Sequence, residues 1–201
     1  MVSTRPLRAD AERTVQTILE AAERTLARNP AATMEEIAAA AGVARTTVHR
    51  RFTTREALIT SLAIWASRQL EAAVDEARPE TTPPLVALYQ ATANVLRVKI
   101  SWGFSVSTTL AKGNEVDEIQ ARVVASCDRL FRRLQETGVL RADVDPVWAR
   151  RVYYALIHEV CQDASAGWLT EPGADPIPTD TIATQLIDTL LRGVGSPAAQ
   201  L

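Results

Sequence analysis

The sequence predicts an all-α chain: an N-terminal three-helix domain of the helix-turn-helix kind, then a larger C-terminal helical bundle, about nine helices together. Three observations carry that expectation. Apolar side chains recur at spacings of three and four, which marks one face of a helix, and no segment alternates convincingly as a strand would. Gly and Pro fall at helix-length intervals, with no Pro between Ala31 and Arg78 and none between Leu85 and Asp145. A chain of 201 residues buries roughly 70% of its unfolded surface, so it needs no staple. Cys127 and Cys161 are its only cysteines, too few for a disulfide framework.

The elements follow in order. Asp10 to Arg28 places Val15, Ile18, Leu19, Ala22 and Leu26 on one face. Arg5 and Arg8 precede it as a tail, with an arm into a minor groove as the second reading. Asn29-Pro30 ends that helix, because Asn tolerates a left-handed cap and Pro cannot continue. Thr33 and Glu36 form a capping box for a short helix to about Ala41, which Gly42 breaks. Arg45 to Arg51 is shorter still and ends at Phe52. Thr53 and Glu56 form a second capping box for a long helix from Thr54 to Ala77. Pro79 to Pro84 interrupts the chain. Thr82 then caps a helix with Pro83 at its first position, running to Ile100. Residues 101–113 read as a short helix or an irregular connector. Asn114 to Thr137 puts Ile119, Val123, Cys127, Leu130 and Leu134 on one face, and Gly138 closes it. Asp145-Pro146 opens a helix to Gly167, residues 170–178 form a loop, Thr179 to Arg192 is the last helix, and the tail after Gly193 is loose. The domain boundary is expected at 53/54, giving domains 1–53 and 54–201.

Charge is uneven. Residues 1–55 carry nine Arg against six acidic residues, while the whole chain has a formal net charge of −2. A polyanion is therefore expected at the front, although Arg is abundant throughout and only Lys99 and Lys112 are lysines. No secretory signal and no bilayer-spanning run are seen, which points to a soluble cytoplasmic protein with no membrane partner. Phosphate-loop, dinucleotide, zinc-protease and nucleophile-elbow patterns are absent, so no catalysis and no cofactor are expected. His158 and Cys161 share a helix face, but two ligands do not make a metal site.

Residues 33–52 are the informative stretch: a short helix, Gly42-Val43-Ala44, and another short helix. Ile37, Ala38, Val43, Val48 and Phe52 are spaced to pack inward. Arg45, Thr46, Thr47, His49 and Arg50 then lie outward, hydroxyls and long cations on one projecting helix. Arg bridges guanine acceptors, and Thr touches a thymine methyl or donates to phosphate. Spacing alone leaves two readings open, a helix in a major groove or a buried helical hairpin with a solvated basic face.

Ile18-Leu19-Glu20-Ala21-Ala22, Thr33 to Ala38, Ala41 to Phe52 and Arg55-Glu56-Ala57-Leu58 together resemble the N-terminal domain of TetR-family transcriptional regulators, over about 45 contiguous residues. The resemblance implies an all-helical homodimer, most simply a repressor, that binds a near-palindromic double-stranded operator and is released by a small-molecule effector. It implies base contacts by Arg45 and Thr46. It implies phosphate contacts by Thr47, by His49 in place of the usual Tyr, by Thr33 at a helix start and by Arg55 in place of a usual Lys. Arg50 and Arg51 complete the set. Thr46 replaces a frequent Gly and Ala44 a frequent Ser, which puts the base preference and one phosphate contact in question. Because His49 can protonate, binding is expected to strengthen slightly at lower pH.

In the remainder the resemblance sets the effector pocket among the middle helices, with Tyr89, Leu96, Trp102, Phe104, Cys127, Phe131 and Tyr154 as candidates against ordinary core packing. Val152, Leu156 and Val160 form one apolar stripe, and Ile182, Leu186, Ile187 and Leu190 another. One copy is not expected to cover both, so a four-helix dimer interface is their natural use. The helix from Thr54 to Ala77 joins the domains and is the expected lever. A helical adaptor that no longer reads DNA and, further off, an all-α enzyme stay open.

Overall fold

A computed structural model describes residues 5–102, 114–166 and 177–195, with side chains at 10–100, 115–162 and 177–195. Eight helices are present among them: α1 Arg5–Arg28, α2 Met34–Ala40, α3 Arg45–Arg51, α4 Arg55–Glu76, α5 Pro84–Trp102, α6 Asn114–Glu136, α7 Pro146–Ala166 and α8 Thr179–Val194. The connector at 103–113, where a ninth helix was the alternative, lies outside the described residues. No described helix is long and apolar enough to cross a membrane.

Local chemistry explains where the boundaries differ from expectation. α1 starts at Arg5 rather than Asp10, so Arg5 and Arg8 belong to its first turns and not to a tail. Pro6 is tolerated there because the first amides of a helix have no partner to lose. Asn29 ends α1 through its side chain, whose Oδ1 accepts from the Ala31 amide at 3.1 Å. It is not left-handed, since Arg78 alone among described non-glycine residues has positive φ. Thr54, one residue later than expected, caps α4 by accepting from the Ala57 amide at 3.1 Å. α5 opens with Pro84, not Pro83, at its first position. Asp145 caps α7 by accepting from the Val147 amide at 2.9 Å.

The chain forms two compact units. The first holds residues up to Ser67, with Trp102 and 114–116; the second holds 68–101 and the described residues from 117 onward. The packing boundary thus falls inside α4. In the first unit Ile18, Leu19, Ala22 and Leu26 of α1 pack with Ile37 and Ala38 of α2, Val48 of α3, Phe52, and Leu58 and Leu62 of α4. Each large apolar side chain so buried contributes roughly 1.5–3 kcal/mol, which is how two seven-residue helices keep their shape.

The second unit is built around Phe131, which has no exposed surface, with Leu88, Leu130, Leu134, Tyr153, Ile157, Leu186 and Ile187 about it. The Phe131 and Tyr153 rings are 5.5 Å apart. The Tyr153 hydroxyl meets that of Thr92 at 2.9 Å, and Thr92 donates to the Leu88 carbonyl at 2.6 Å. Arginines of α6 brace its periphery. Arg122 grips Glu71 at 2.6 and 3.2 Å, and Arg133 donates to the carbonyls of Pro79 and Thr82. The end of α8 is tied down past Gly193: the Arg141 amide donates to Val194 at 3.1 Å, and Leu140 bridges to Gly195.

Glu23 breaks the apolar pattern of α1. It is wholly buried, and neither carboxylate oxygen has a hydrogen-bond partner. Loss of hydration raises its pKa to about 7. The folded chain therefore holds this proton more tightly than the unfolded chain, so stability falls as pH rises from about 4.5 to about 7 and stays low above that. Glu23→Leu should stabilise the protein by about 2–3 kcal/mol at pH 8 and by much less at pH 5. Thermal melts of both proteins at the two pH values check this; an equal shift at both would show that the charge is not the cause.

Candidate nucleic-acid interface

The turn between α2 and α3 is set by its backbone. Gly42 has φ +66°, a region that costs a side chain strain and glycine little. Around it the Gly42 amide donates to Ala39 and the Val43 amide to Ala38, each at 3.1 Å. This double closure satisfies the last carbonyls of α2. Ala44 is extended and gives α3 no side-chain cap, as expected where Ser is replaced. Val48 points inward with no exposed surface. At about 100° per residue, Thr46 and Arg50 fall opposite Val48 while His49 and Arg45 lie on one flank between, and all four are exposed. Thr47 sits at the arc's edge, half-buried.

Three of the expected DNA contacts have neighbours within the chain itself. Arg51 lies on the other side of α3, where it lines a groove of about 520 Å³ with Ala11, Glu12, Val15, Gln16, Leu19 and Trp65. Arg55 donates from Nη2 to the Pro30 carbonyl at 2.6 Å and from Nε to Ala32 at 3.4 Å. Those carbonyls lie outside any helix, so a guanidinium satisfies them. Arg55 thereby fixes the loop that leads into α2. Thr33 is consumed by the capping box. Its amide and hydroxyl donate to Glu36 Oε2 at 2.7 and 2.9 Å, and its Oγ accepts from the Glu36 amide at 3.2 Å. These bonds hold the Glu36 carboxyl below its usual pKa, so a negative charge stands where a phosphate contact was expected.

One residue of this face was not anticipated. Glu35 forms an ion pair with Arg45 across the turn. Arg45 also donates from Nε to His49 Nε2 at 3.4 Å. A carboxylate in the first turn of a helix reads in sequence as a dipole partner, and only the turn geometry reveals that it meets α3.

The second unit brings some of the expected pocket together. Tyr89, Cys127, Phe131 and Tyr154 belong to one apolar cluster, while Leu96 packs with Ile182 and Ala183 in another. The Trp102 side chain and Phe104 lie outside the described residues. The Tyr154 hydroxyl is buried without a partner, its ring lies under the Arg150 guanidinium at 4.9 Å, and Arg150 pairs with Asp128 at 2.5 Å. Burial raises the Cys127 thiol pKa.

Of the expected dimer stripes, Ile182, Leu186, Ile187 and Leu190 on α8 are at most 5% exposed within one copy. Val152, Leu156 and Val160 on α7 are only partly covered. Trp148, 53% exposed, is the most open large apolar side chain described.

Residues 18–62 match the family model of bacterial regulatory proteins, tetR family. Over 185 residues the chain is 31% identical to the HTH-type transcriptional repressor LfrR of Mycolicibacterium smegmatis, covering 91% of each. The chain belongs to the tetR family. It is therefore a DNA-binding transcriptional regulator and not an enzyme. The crystal structure of LfrR from Mycobacterium smegmatis in complex with proflavine superposes with a TM-score of 0.65 at 28% identity, over 90% of this chain and 97% of that one. The TetR-family regulator PfmR from Thermus thermophilus shares the fold, with a TM-score of 0.70 at 22% identity over 87% and 97% of the two chains.

The placement of Arg55 separates two roles. Arg55→Ala should lower stability by about 1–2 kcal/mol and leave the salt dependence of DNA binding unchanged. Arg50→Ala should flatten the slope of log K against log salt by about 0.9 for each protomer bound. Melting curves and salt titrations of both variants check this; a flattened slope in Arg55→Ala would restore it as a phosphate contact.

Proposed function

We propose that this regulator is a cytoplasmic homodimeric repressor in which residues 1–53 bind DNA and residues 54–201 bind the effector and dimerise. Two α3 helices enter successive major grooves of a near-palindromic operator, and a small molecule releases them. The exposure of Arg45, Thr46, His49 and Arg50 along one side of α3, with Val48 buried, carries this reading. Arg45 and Thr46 meet base edges, while Thr47, His49 and Arg50 meet the backbone or flanking bases. Trp148, Val152, Leu156 and Val160 on α7 supply the surface for the second copy. Release requires an effector that binds two conformers unequally.

The cluster of Tyr89, Cys127, Phe131 and Tyr154 suits a lipophilic aromatic effector. Proflavine is the first probe, because the 28%-identical structure holds it.

The test is selection of bound sequences from a random duplex pool, followed by salt titration of the enriched duplex. A palindromic consensus with steep salt dependence is expected, and Arg45→Ala should weaken that duplex about tenfold or more and relax the consensus at one position. No enrichment by protein refolded free of ligand would overturn the near-palindromic operator and the assignment of the α3 contacts.

A further inference from the structure

Of the two carboxylates in the first turn of α2, Glu36 is spent on the capping box. Glu35 is not, and it reaches across the turn to Arg45, the leading cation of the reading arc. Both side chains are more than half exposed, 57% for Glu35 and 62% for Arg45. Exposed pairs shift a folding equilibrium by at most about fivefold, so stability is a weak reason for this one. His49 holds the same guanidinium at Nε.

We propose that Glu35 is a specificity-determining residue that withholds Arg45 from DNA backbone in general and yields it only to a matching base. The inference rests on the reading of Arg45 as a base contact. On random DNA, Arg45 can exchange Glu35 only for a phosphate. That swaps one exposed anion for another and leaves the Glu35 carboxylate unpaired in the field of the backbone. On the correct site the guanidinium gains a two-bond contact to guanine, which discriminates by about five- to a hundredfold and exceeds what the pair with Glu35 returns. Glu35 thus lowers affinity for the many wrong sites more than for the right one. That ratio is what matters for a protein searching a genome.

Glu35→Gln removes the charge, keeps the shape and leaves the capping box intact. Anisotropy titrations would use the duplex enriched from the random pool and a shuffled duplex of equal length and composition. The variant should bind the shuffled duplex about five- to tenfold more tightly at about 0.1 M salt, with a slope steeper by about 0.9 for each protomer bound. The enriched duplex should gain about twofold or less, so the ratio of affinities falls. In an Arg45→Ala background the same substitution should leave the ratio unchanged. If Glu35→Gln shifts both duplexes by one factor while Arg45→Ala still weakens the enriched one, Glu35 acts only as a diffuse charge and the inference fails alone. If Arg45→Ala keeps full affinity for the enriched duplex, the reading of Arg45 falls and takes the inference with it.

Discussion

Gly42 sits at φ +66° with open space where a side chain would go. The constraint it meets is therefore backbone strain and not crowding. The amides of Gly42 and Val43 close the end of α2, and the chain leaves that closure in the one direction that buries Val48. Everything the reading face presents follows from this. Turning Val48 inward turns Thr46 and Arg50 outward and sets His49 and Arg45 on one exposed flank, because the helix has only one register once its single buried side chain is fixed. The same closure, with Gly138 at φ +75° and amides donating to Gln135 and Leu134, ends α6 in the second unit.

Sequence reading locates elements better than partners. The bounds of α3 were legible because Gly42, Val48 and Phe52 each impose a local rule. The outward arc followed from the same periodicity, whereas Arg51 was added by the family resemblance alone and lines the groove beside α1. Arg55 and Thr33 have partners within the chain for a shared reason. A cation and a hydroxyl near a helix start suit phosphate equally well as they suit stray carbonyls and amides. Here the loop at Pro30 and Ala32 and the Glu36 carboxylate take them first. The α8 stripe turns on a matter of coverage. Nothing in the spacing of Ile182, Leu186, Ile187 and Leu190 tells whether the facing apolar surface belongs to the same chain.

Buried polar groups are compensated unevenly, and the Tyr154 hydroxyl of the second unit has no partner. In the second, the Tyr153 hydroxyl is paired with Thr92 and through it with a helix carbonyl, so a phenol is buried at small cost. Arg150 is paired with Asp128 and lies over an aromatic ring. In the first, Glu23 is buried with no such compensation. Sequence alone placed Glu23 within a helix and gave no hint of its burial, since a Glu among Ala and Arg residues reads as a solvated position.

The arginines of the second unit are largely occupied by the chain itself. Arg122, Arg129, Arg141, Arg150 and Arg192 meet carboxylates, and Arg133 meets carbonyls. Arg50 and Arg51 make no ion pair with any described residue. The net charge of −2 is thus a poor guide to how the molecule meets a charged solid. On a sulfonated resin or a carboxylated sensor chip it lands with α3 against the surface and covers its own reading face. Immobilisation for any binding assay is best done through the duplex, leaving the protein in solution.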